Sequence, residues 1–571
     1  MTRTSTALES PARRRIVVVG GVAGGMSFAA RARRLDENAE ILVLERGPHV
    51  SFASCGLPYF VGGEIAEESQ LLLQTPSSLA ASLELDVRTG HEVVGLDAER
   101  RCVTVQHAGG TEEIGYDELV LAPGARAVRP PVPGLDSPRV HVLRSVQDAL
   151  AMRELVTGGA RRAVVLGAGF IGVETAESLA ARGLEVALVE AAPHVLPHLE
   201  REMAQLVTIE LRELGIDVRA GLAASELRHE ADHDLVVLAD GSQLEADLVV
   251  LSVGVRPETA VFEAAGVACE DGAILVDEHG RTNLPGVRAV GDATLSVDAV
   301  TGLRRPVALA GPANRAGRLV ADHLARPESA RPIPKPLGTA VVRVGSLTAA
   351  STGANRAALE RAGIPFRTLH LHPLQHAGYV PGASPVHLLV HLAQDGALLG
   401  AQAVGREGAD KRIDVLATAL RAGLRVDELI DLDLAYAPFH GQAKDPVNLV
   451  GMVGQNVLEG TLSLWYASEL ESVRSAALVL DVRSPEEYRR VHLPGSLNIP
   501  HTELRRRIDE VLEAAAGRPV RVLCASGVRS AIAHRVLVQH GLDSASLSGG
   551  MQTLSAWLGD EPGSVLEKEQ S

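Results

Sequence analysis

Two stretches of this chain repeat a design that only a parallel α/β sheet accommodates. The first has the apolar run Ile16–Val19, then Gly20-Gly21-Val22-Ala23-Gly24-Gly25, a helical pattern to about Leu35, the run Ile41–Leu44 and the acid Glu45. The second has Ala163–Leu166, Gly167-Ala168-Gly169-Phe170-Ile171-Gly172, a helical pattern to about Arg182, Val186–Val189 and the acid Glu190. Each reads as a βαβ unit opening a parallel sheet. Glycines at Gly20, Gly21, Gly24 and Gly25, and at Gly167, Gly169 and Gly172, allow a tight turn and close approach of a pyrophosphate to the helix N-terminus. One such fingerprint is a weak signal, since any α/β protein has tight turns. Two in strand–turn–helix context, each with its acid, are a strong one.

The second copy follows the standard pattern, whereas the first carries Val22 where a middle glycine is usual. Two dinucleotide sites in one chain point to electron transfer between two bound dinucleotides. Glu190 would repel a 2′-phosphate, and no arginine follows within the next few residues, so NADH is favoured over NADPH. The competing reading of Glu190 is a solvated carboxylate at a strand end.

At 571 residues the chain exceeds a single core, and three or four domains are expected. Aromatics at 3% and a net charge of −16 argue against a nucleic-acid partner. Four widely spaced cysteines do not make a disulfide framework and favour a reducing, cytoplasmic compartment. Residues 1–13 read as a disordered leader. The run Ile16–Val19 is too short for a signal-peptide core, and no stretch reaches transmembrane length, so a soluble protein is expected. No metal-ligand spacing is visible. Prolines between 332 and 336 and a compositional shift over 458–475 mark further boundaries.

Cys55 lies in the run Ser51–Phe60, and no second cysteine follows nearby; Cys102 falls in an unrelated strand-like segment. An internal disulfide cycle needs two thiols within bonding reach. A lone redox thiol must pair with a small thiol, a sulfane sulfur or a peroxide oxygen. It must act as thiolate, and a free cysteine with a pKa of about 8.5 is mostly protonated at neutral pH. Cys102 and Cys269 are expected to be structural.

Together these residues resemble the pyridine nucleotide-disulfide oxidoreductase superfamily, and within it the single-cysteine coenzyme A-disulfide reductases fused to a C-terminal rhodanese domain. Gly286–Asp292 is similar to the motif whose aspartate, here Asp292 after Gly291, holds the ribityl chain of FAD. Leu121–Gly124 and Leu251–Gly254 resemble the strands passing between the FAD and NAD domains, with Gly124 and Gly254 near the cofactors. The resemblance implies an FAD-binding domain over 14–125 and 255–335, and an NAD(P)H-binding domain over 126–254. It further implies an α/β dimerisation domain over 336–456, a linker over 457–475 and an α/β rhodanese domain over 476–571. It assigns Glu45 to the FAD adenosine ribose. Glu174 goes to the flavin–nicotinamide junction, with a helix-dipole acid as the equal alternative. Cys55 stands against the flavin, whose electron-poor oxidised ring would favour the thiolate. His376–Gly382 and Tyr436–Pro446 resemble dimerisation-domain loops whose tyrosines, Tyr379 and Tyr436, reach the partner subunit's cysteine in a homodimer. The second loop has Phe439 and His440 where a proline and an aromatic are usual. In the basic helix Arg31-Ala32-Arg33-Arg34, Arg34 together with Ser51 becomes a candidate for the phosphates and pantetheine arm of coenzyme A. A solvated basic face is the close competitor.

Asp481–Tyr488 and His492–Pro500 match rhodanese signatures, with Val491 where glycine is common. Cys524-Ala525-Ser526-Gly527-Val528-Arg529-Ser530 resembles the catalytic loop. Cys524, wrapped by backbone N–H groups, would have a depressed pKa and carry a persulfide, and Arg529 would hold the loop or stabilise the anion. The expected activity is NAD(P)H-dependent, FAD-mediated reduction of coenzyme A disulfide, coenzyme A persulfide or polysulfide at Cys55, with sulfane sulfur carried by Cys524. The rivals are an NADH peroxidase or oxidase cycling a sulfenic acid, and a non-enzymatic flavin redox sensor or sulfur-relay adaptor.

Overall fold

A computed structural model describes residues 13–559 and 565–568. The expected leader lies outside the described residues except for Arg13. The chain divides into two compact units, one of residues 1–187, 224–298 and 302–336, the other of 188–223, 299–301 and 337–571.

In the first unit a five-stranded parallel sheet runs in the order Val287–Ala289, Glu118–Leu121, Arg15–Val19, Glu40–Glu45, Asp86–Thr89. Its three central strands carry continuous apolar runs because both faces are covered there. Val18, Ile41 and Val43 face one core with Phe28, and Val17, Leu42 and Leu44 face the other with Val103 and Val105. The helix Ala23–Leu35 packs so closely on Ala310–Ala325 that a Cβ on Gly317 would overlap the Gly24 carbonyl. A three-stranded antiparallel sheet, Glu92–Asp97, Cys102–His107 and Gly110–Gly115, lies in this unit. The second fingerprint strand, Arg162–Leu166, pairs in parallel with Leu248–Leu251, which pairs with Val140–His141. Two short antiparallel strands, Ala125–Ala127 and Val255–Pro257, follow Gly124 and Gly254 directly.

The second unit contains a five-stranded antiparallel sheet in the order Ala340–Val344, Leu347–Gly353, Leu398–Gly405, Val386–Leu392, Arg367–Leu371. Its core, with Leu388, Val390 and Ala403, takes the helices Ala409–Ala422 and Pro446–Leu458. A five-stranded parallel sheet completes the unit, ordered Leu464–Trp465, Ser544–Leu547, Val520–Leu523, Leu478–Asp481, Leu497–Asn498, with a core on each face. The stretch 457–475, expected as a linker, instead supplies the edge strand of this sheet and most of the helix Leu470–Ala476. Trp465 anchors it: the indole is buried and its Nε1–H donates to the Val522 carbonyl at 3.2 Å. Among the described residues no helix is long and apolar enough to cross a membrane.

Candidate functional site

The first glycine turn is a cradle that side chains could not share. Gly20 has φ +99°, and a Cβ there would overlap the Ala122 carbonyl; a Cβ on Gly25 would overlap the carbonyl of Gly20. A Cβ on Gly24 would meet Val290 at 3.1 Å, and one on Gly21 would meet Val50 at 2.7 Å. The helix begins without a side-chain cap, so no side chain occupies its first-turn N–H groups. Val22, the departure from the usual pattern, is the N-cap, and its negative φ of −112° does not call for glycine. Glu45 closes the turn: its Oε2 accepts the Gly21 N–H and its Oε1 the Gly47 N–H, both at 2.8 Å. Each carboxylate oxygen keeps acceptor capacity for a ribose hydroxyl.

Asp292 stands in the 3-10 turn Gly291–Ala293, with Gly291 at φ +80°. Burial raises its pKa, countered by the Arg144 guanidinium 3.9 Å away. A semi-buried acceptor of this kind suits polyol hydroxyls. Gly124 and Gly254 have φ +73° and +112° with open space where a Cβ would point.

At the second turn Gly167 has φ +98°, and a Cβ on Gly172 would overlap its carbonyl. Gly169 is the N-cap of Phe170–Ala181, with no side-chain cap and open space at its Cβ position. Both turns therefore fit a dinucleotide's pyrophosphate. Glu174, four residues into that helix, accepts a 2.8 Å hydrogen bond from the Tyr59 hydroxyl. Tyr59 lies on Leu57–Gly62, the helix that Cys55 leads into, so this bond joins the second fingerprint helix to the cysteine loop. Tyr59 falls within the Ser51–Phe60 run, where nothing in the sequence signals this bond. Glu190 ends the strand Glu185–Glu190, and its Oε1 accepts the Ala192 N–H at 2.8 Å.

Cys55 is exposed in the 3-10 turn Ser54–Gly56. Ser51, at φ +48°, donates its N–H to the Gly21 carbonyl at 2.9 Å and accepts from Leu73, pinning the cysteine loop to the first turn. All four cysteines are free; Cys102 is buried, whereas Cys269 is only half-buried, its thiol pushed up by burial. The basic helix face divides by role. Arg33 is buried and donates to the carbonyls of Leu83, Asp36, Glu37, Ala39 and Glu84, and Arg31 pairs with Asp322 at 2.6 Å. Arg34 is exposed, donating to Ala30 of its own helix.

In the second unit the structure brings Tyr379 and Tyr436 together, their hydroxyls 3.4 Å apart and both rings exposed. The Tyr436 hydroxyl raises the pKa of Tyr379. Arg412, which sequence reasoning missed, organises both loops. Buried on Ala409–Ala422, it donates to Asp445 at 2.8 Å and to the Gln375 carbonyl at 2.9 Å. Asp445 in turn caps Pro446–Leu458. Further bonds, Gln442 to the Leu374 carbonyl at 2.6 Å and Ala377 N–H to the Pro438 carbonyl at 3.2 Å, stitch the loops together.

Cys524 follows the strand Val520–Leu523 and is buried. Its Sγ accepts the Gly527 N–H at 3.2 Å and lies 3.3 Å from the Ser530 hydroxyl, which receives a 2.8 Å bond from Ser546. Gly527 has φ +93°, turning the chain into the helix Val528–Gln539. Arg529 makes a two-pronged pair with Glu487, both contacts 2.7 Å. Glu487 itself accepts the Ser484 N–H at 3.0 Å in a capping box. Glu487 and Ser546 were not anticipated, because neither lies in the cysteine motif.

One group contrasts with the expectation of no metal spacing: His91, His107 and Glu112 place ligand atoms within 4.8 Å of one another. The Gly109 N–H donates to His107 Nδ1 at 3.1 Å, and His107 Nε2 faces Glu112 at 3.8 Å.

Two glycine-turn nucleotide cradles, an exposed thiol beside them and a loop-wrapped second thiol define a nucleotide-dependent redox protein joined to a sulfur-transfer module. Residues 14–317 match the pyridine nucleotide-disulphide oxidoreductase family, 339–445 its dimerisation domain and 464–556 the rhodanese-like domain. The chain is 36% identical over 444 residues to a coenzyme A disulfide reductase of Staphylococcus haemolyticus, covering 77% of this chain and 98% of that one. Its fold resembles the reduced CoADR-RHD of Bacillus anthracis, with TM-score 0.93 and 38% identity over 96% of this chain and 98% of that one. It also resembles a NAD-dependent persulfide reductase from A. fulgidus, with TM-score 0.88 and 36% identity over 94% and 99% of the two chains. The chain belongs to the pyridine nucleotide-disulphide oxidoreductase family and is an oxidoreductase carrying a rhodanese-like domain. Membership implies FAD and a pyridine nucleotide as cofactors.

Proposed function

We propose that this protein reduces coenzyme A disulfide, coenzyme A persulfide or polysulfide with NADH through Cys55, while Cys524 carries sulfane sulfur. The observation that carries this reading is the placement of Cys55. It is exposed, free of any disulfide, and opens a helix whose Tyr59 is bonded to Glu174 on the second fingerprint helix. The names of the relatives support the sulfur substrates. Glu190, in place of a cation, supports NADH. Four free cysteines support a cytoplasmic setting. The domain limits proposed are those read from the sequence, with the rhodanese module extended back to the strand at Leu464.

Bound FAD would pass the pyridine nucleotide's electrons to the disulfide that Cys55 forms. The Cys55 thiolate attacks one sulfur of the substrate, a mixed disulfide forms, and a thiolate leaves. Tyr379 and Tyr436, contributed by the partner of a homodimer, protonate or hydrogen-bond that leaving group. Arg34 and Ser51 hold the phosphate and pantetheine arm of coenzyme A. Gly20, Gly21, Gly24, Gly25, Glu45, Gly124, Gly291 and Asp292 hold FAD; Gly167, Gly169, Gly172, Glu174, Glu190 and Gly254 serve the nicotinamide side.

Steady-state NADH oxidation with coenzyme A disulfide, coenzyme A persulfide, glutathione persulfide and hydrogen peroxide tests the reading. Cys55→Ser should abolish turnover with every sulfur substrate. Peroxide turnover exceeding all of them would instead establish the peroxidase reading.

A further inference from the structure

The Cys524 loop contains one arginine, and the structure shows what that arginine is doing. Both terminal nitrogens of Arg529 are committed to the two oxygens of Glu487 at 2.7 Å, the geometry in which a guanidinium binds a carboxylate most specifically. Glu487 is not free to swing away. It is fixed by the Ser484 N–H at 3.0 Å and by its own N–H donating to the Ser484 hydroxyl at 3.2 Å, at the start of Pro485–Arg490. The carboxylate is held at a pKa of about 2 by the Arg529 guanidinium, so the pair stays ionised throughout the physiological range. A sulfonate-type oxyanion would have to compete with Glu487 for the same fork and would face its negative charge.

We infer that the Glu487–Arg529 pair makes Cys524 selective for organic persulfides over thiosulfate-type donors, with Glu487 as the specificity-determining residue. This deepens the proposed sulfur-carrier role of Cys524 and rests on it. In either transfer the Cys524 thiolate attacks the donor's outer sulfane sulfur. The donor S–S bond breaks, and its electron pair leaves with the remainder, a thiolate from an organic persulfide or sulfite from thiosulfate. Cys524 becomes a persulfide, and a nucleophilic acceptor such as cyanide removes that sulfur to regenerate the thiolate. The two donors differ in charge at the crowded centre. Thiosulfate brings a dianion to a thiolate, and the loop meets it with a single arginine that is already paired with Glu487 and also interacts with Cys524. An alkyl persulfide brings at most one negative charge to the reacting sulfur, and the Gly527 N–H and the Ser530 hydroxyl already lie against the Cys524 Sγ that attacks it.

The test is sulfur transfer to cyanide by the full-length holoprotein, with glutathione persulfide and thiosulfate as alternative donors. Loss of transfer from both donors in Cys524→Ala establishes the carrier role; retention there overturns that role, independently of the selectivity. For the wild type, kcat/KM with glutathione persulfide should exceed that with thiosulfate by about a hundredfold or more. Glu487→Gln should narrow that ratio by about tenfold or more, mainly through a lower KM for thiosulfate, because removing a neighbouring like charge favours the anion. Glu487→Asp should keep the wild-type preference. A wild type that uses thiosulfate as readily as the persulfide, or an active Glu487→Gln protein with an unchanged ratio, would overturn the inference. Should Glu487→Gln lose both activities, inhibition of wild-type persulfide transfer by thiosulfate decides. Its absence at millimolar thiosulfate supports the inference, and competitive inhibition there overturns it.

Discussion

At the scale of single residues, the side chains that arrange the chemistry differ from those that announce it. Cys55, Cys524 and the glycines are visible in the sequence because each sits in a contiguous motif. Arg412 is not. It lies in an ordinary amphipathic helix, and its role depends on Gln375 and Asp445, which the chain brings to it from 37 and 33 residues away. With its guanidinium buried, removing it strands the Asp445 carboxylate and the Gln375 carbonyl without their partner. Arg412→Met should therefore destabilise the second unit by about 3–5 kcal/mol, read by denaturant unfolding, and should disorder the loops that pair Tyr379 with Tyr436. Loss of turnover at unchanged stability would instead mean that Arg412 acts on the substrate.

At the scale of elements, the two fingerprints were legible to within a residue or so: the helices run Ala23–Leu35 and Phe170–Ala181, where the pattern placed their ends near Leu35 and Arg182. Glycine periodicity and buried parallel strands leave little freedom there. The stretch 457–475 reads as a linker in the sequence only from a compositional shift, with no motif to place it. Only the partner strand Ser544–Leu547, far along the chain, gives Leu464–Trp465 its place. Because a Cβ on Gly172 would overlap the Gly167 carbonyl, Gly172→Ala should raise the KM for NADH by about tenfold or more while leaving bound FAD intact. Titration with NADH, alongside the flavin absorbance of the purified protein, checks both halves.

A second element-scale consequence concerns the antiparallel sheet of the second unit. His372 on the loop after Arg367–Leu371 and His387 on Val386–Leu392 bring their Nδ1 atoms to 2.8 Å, and His372 Nε2 meets Thr553 Oγ1 at 2.9 Å. Burial pushes His387 down to about 4, and burial with its histidine neighbours pushes His372 well below 6.5. Both rings are thus neutral when folded, while the unfolded chain takes up protons below about 6.5. Their contribution is fully present above pH 6.5 and is lost as pH falls toward 4. For His387 alone this is on the order of 2 kcal/mol at pH 4–5. Thermal unfolding between pH 7.5 and 4.5 should show the loss, and His387→Gln should flatten it. An unchanged slope would place the rings' proton uptake elsewhere.

At the scale of the whole molecule, what matters is whether one chain holds a complete site. Residues 339–445 match a dimerisation domain, and Tyr379, Tyr436 and Phe439 are exposed at 76%, 49% and 72%, a cluster of aromatics that a monomer would leave in water. If these tyrosines serve a partner's Cys55, no single chain is sufficient, and the dependence can be read by complementation. A Cys55→Ser chain has intact tyrosines; a Tyr379→Phe/Tyr436→Phe chain has an intact thiol. Each homodimer should be inactive or severely impaired with coenzyme A disulfide. Co-expressed in equal amounts, half the dimers are hybrids, and in each hybrid one of two sites pairs a wild-type thiol with wild-type tyrosines. Activity should therefore recover to about one quarter of wild type per subunit. Tyrosines serving their own chain's thiol would leave every hybrid site defective, and the mixture would stay as inactive as its parents.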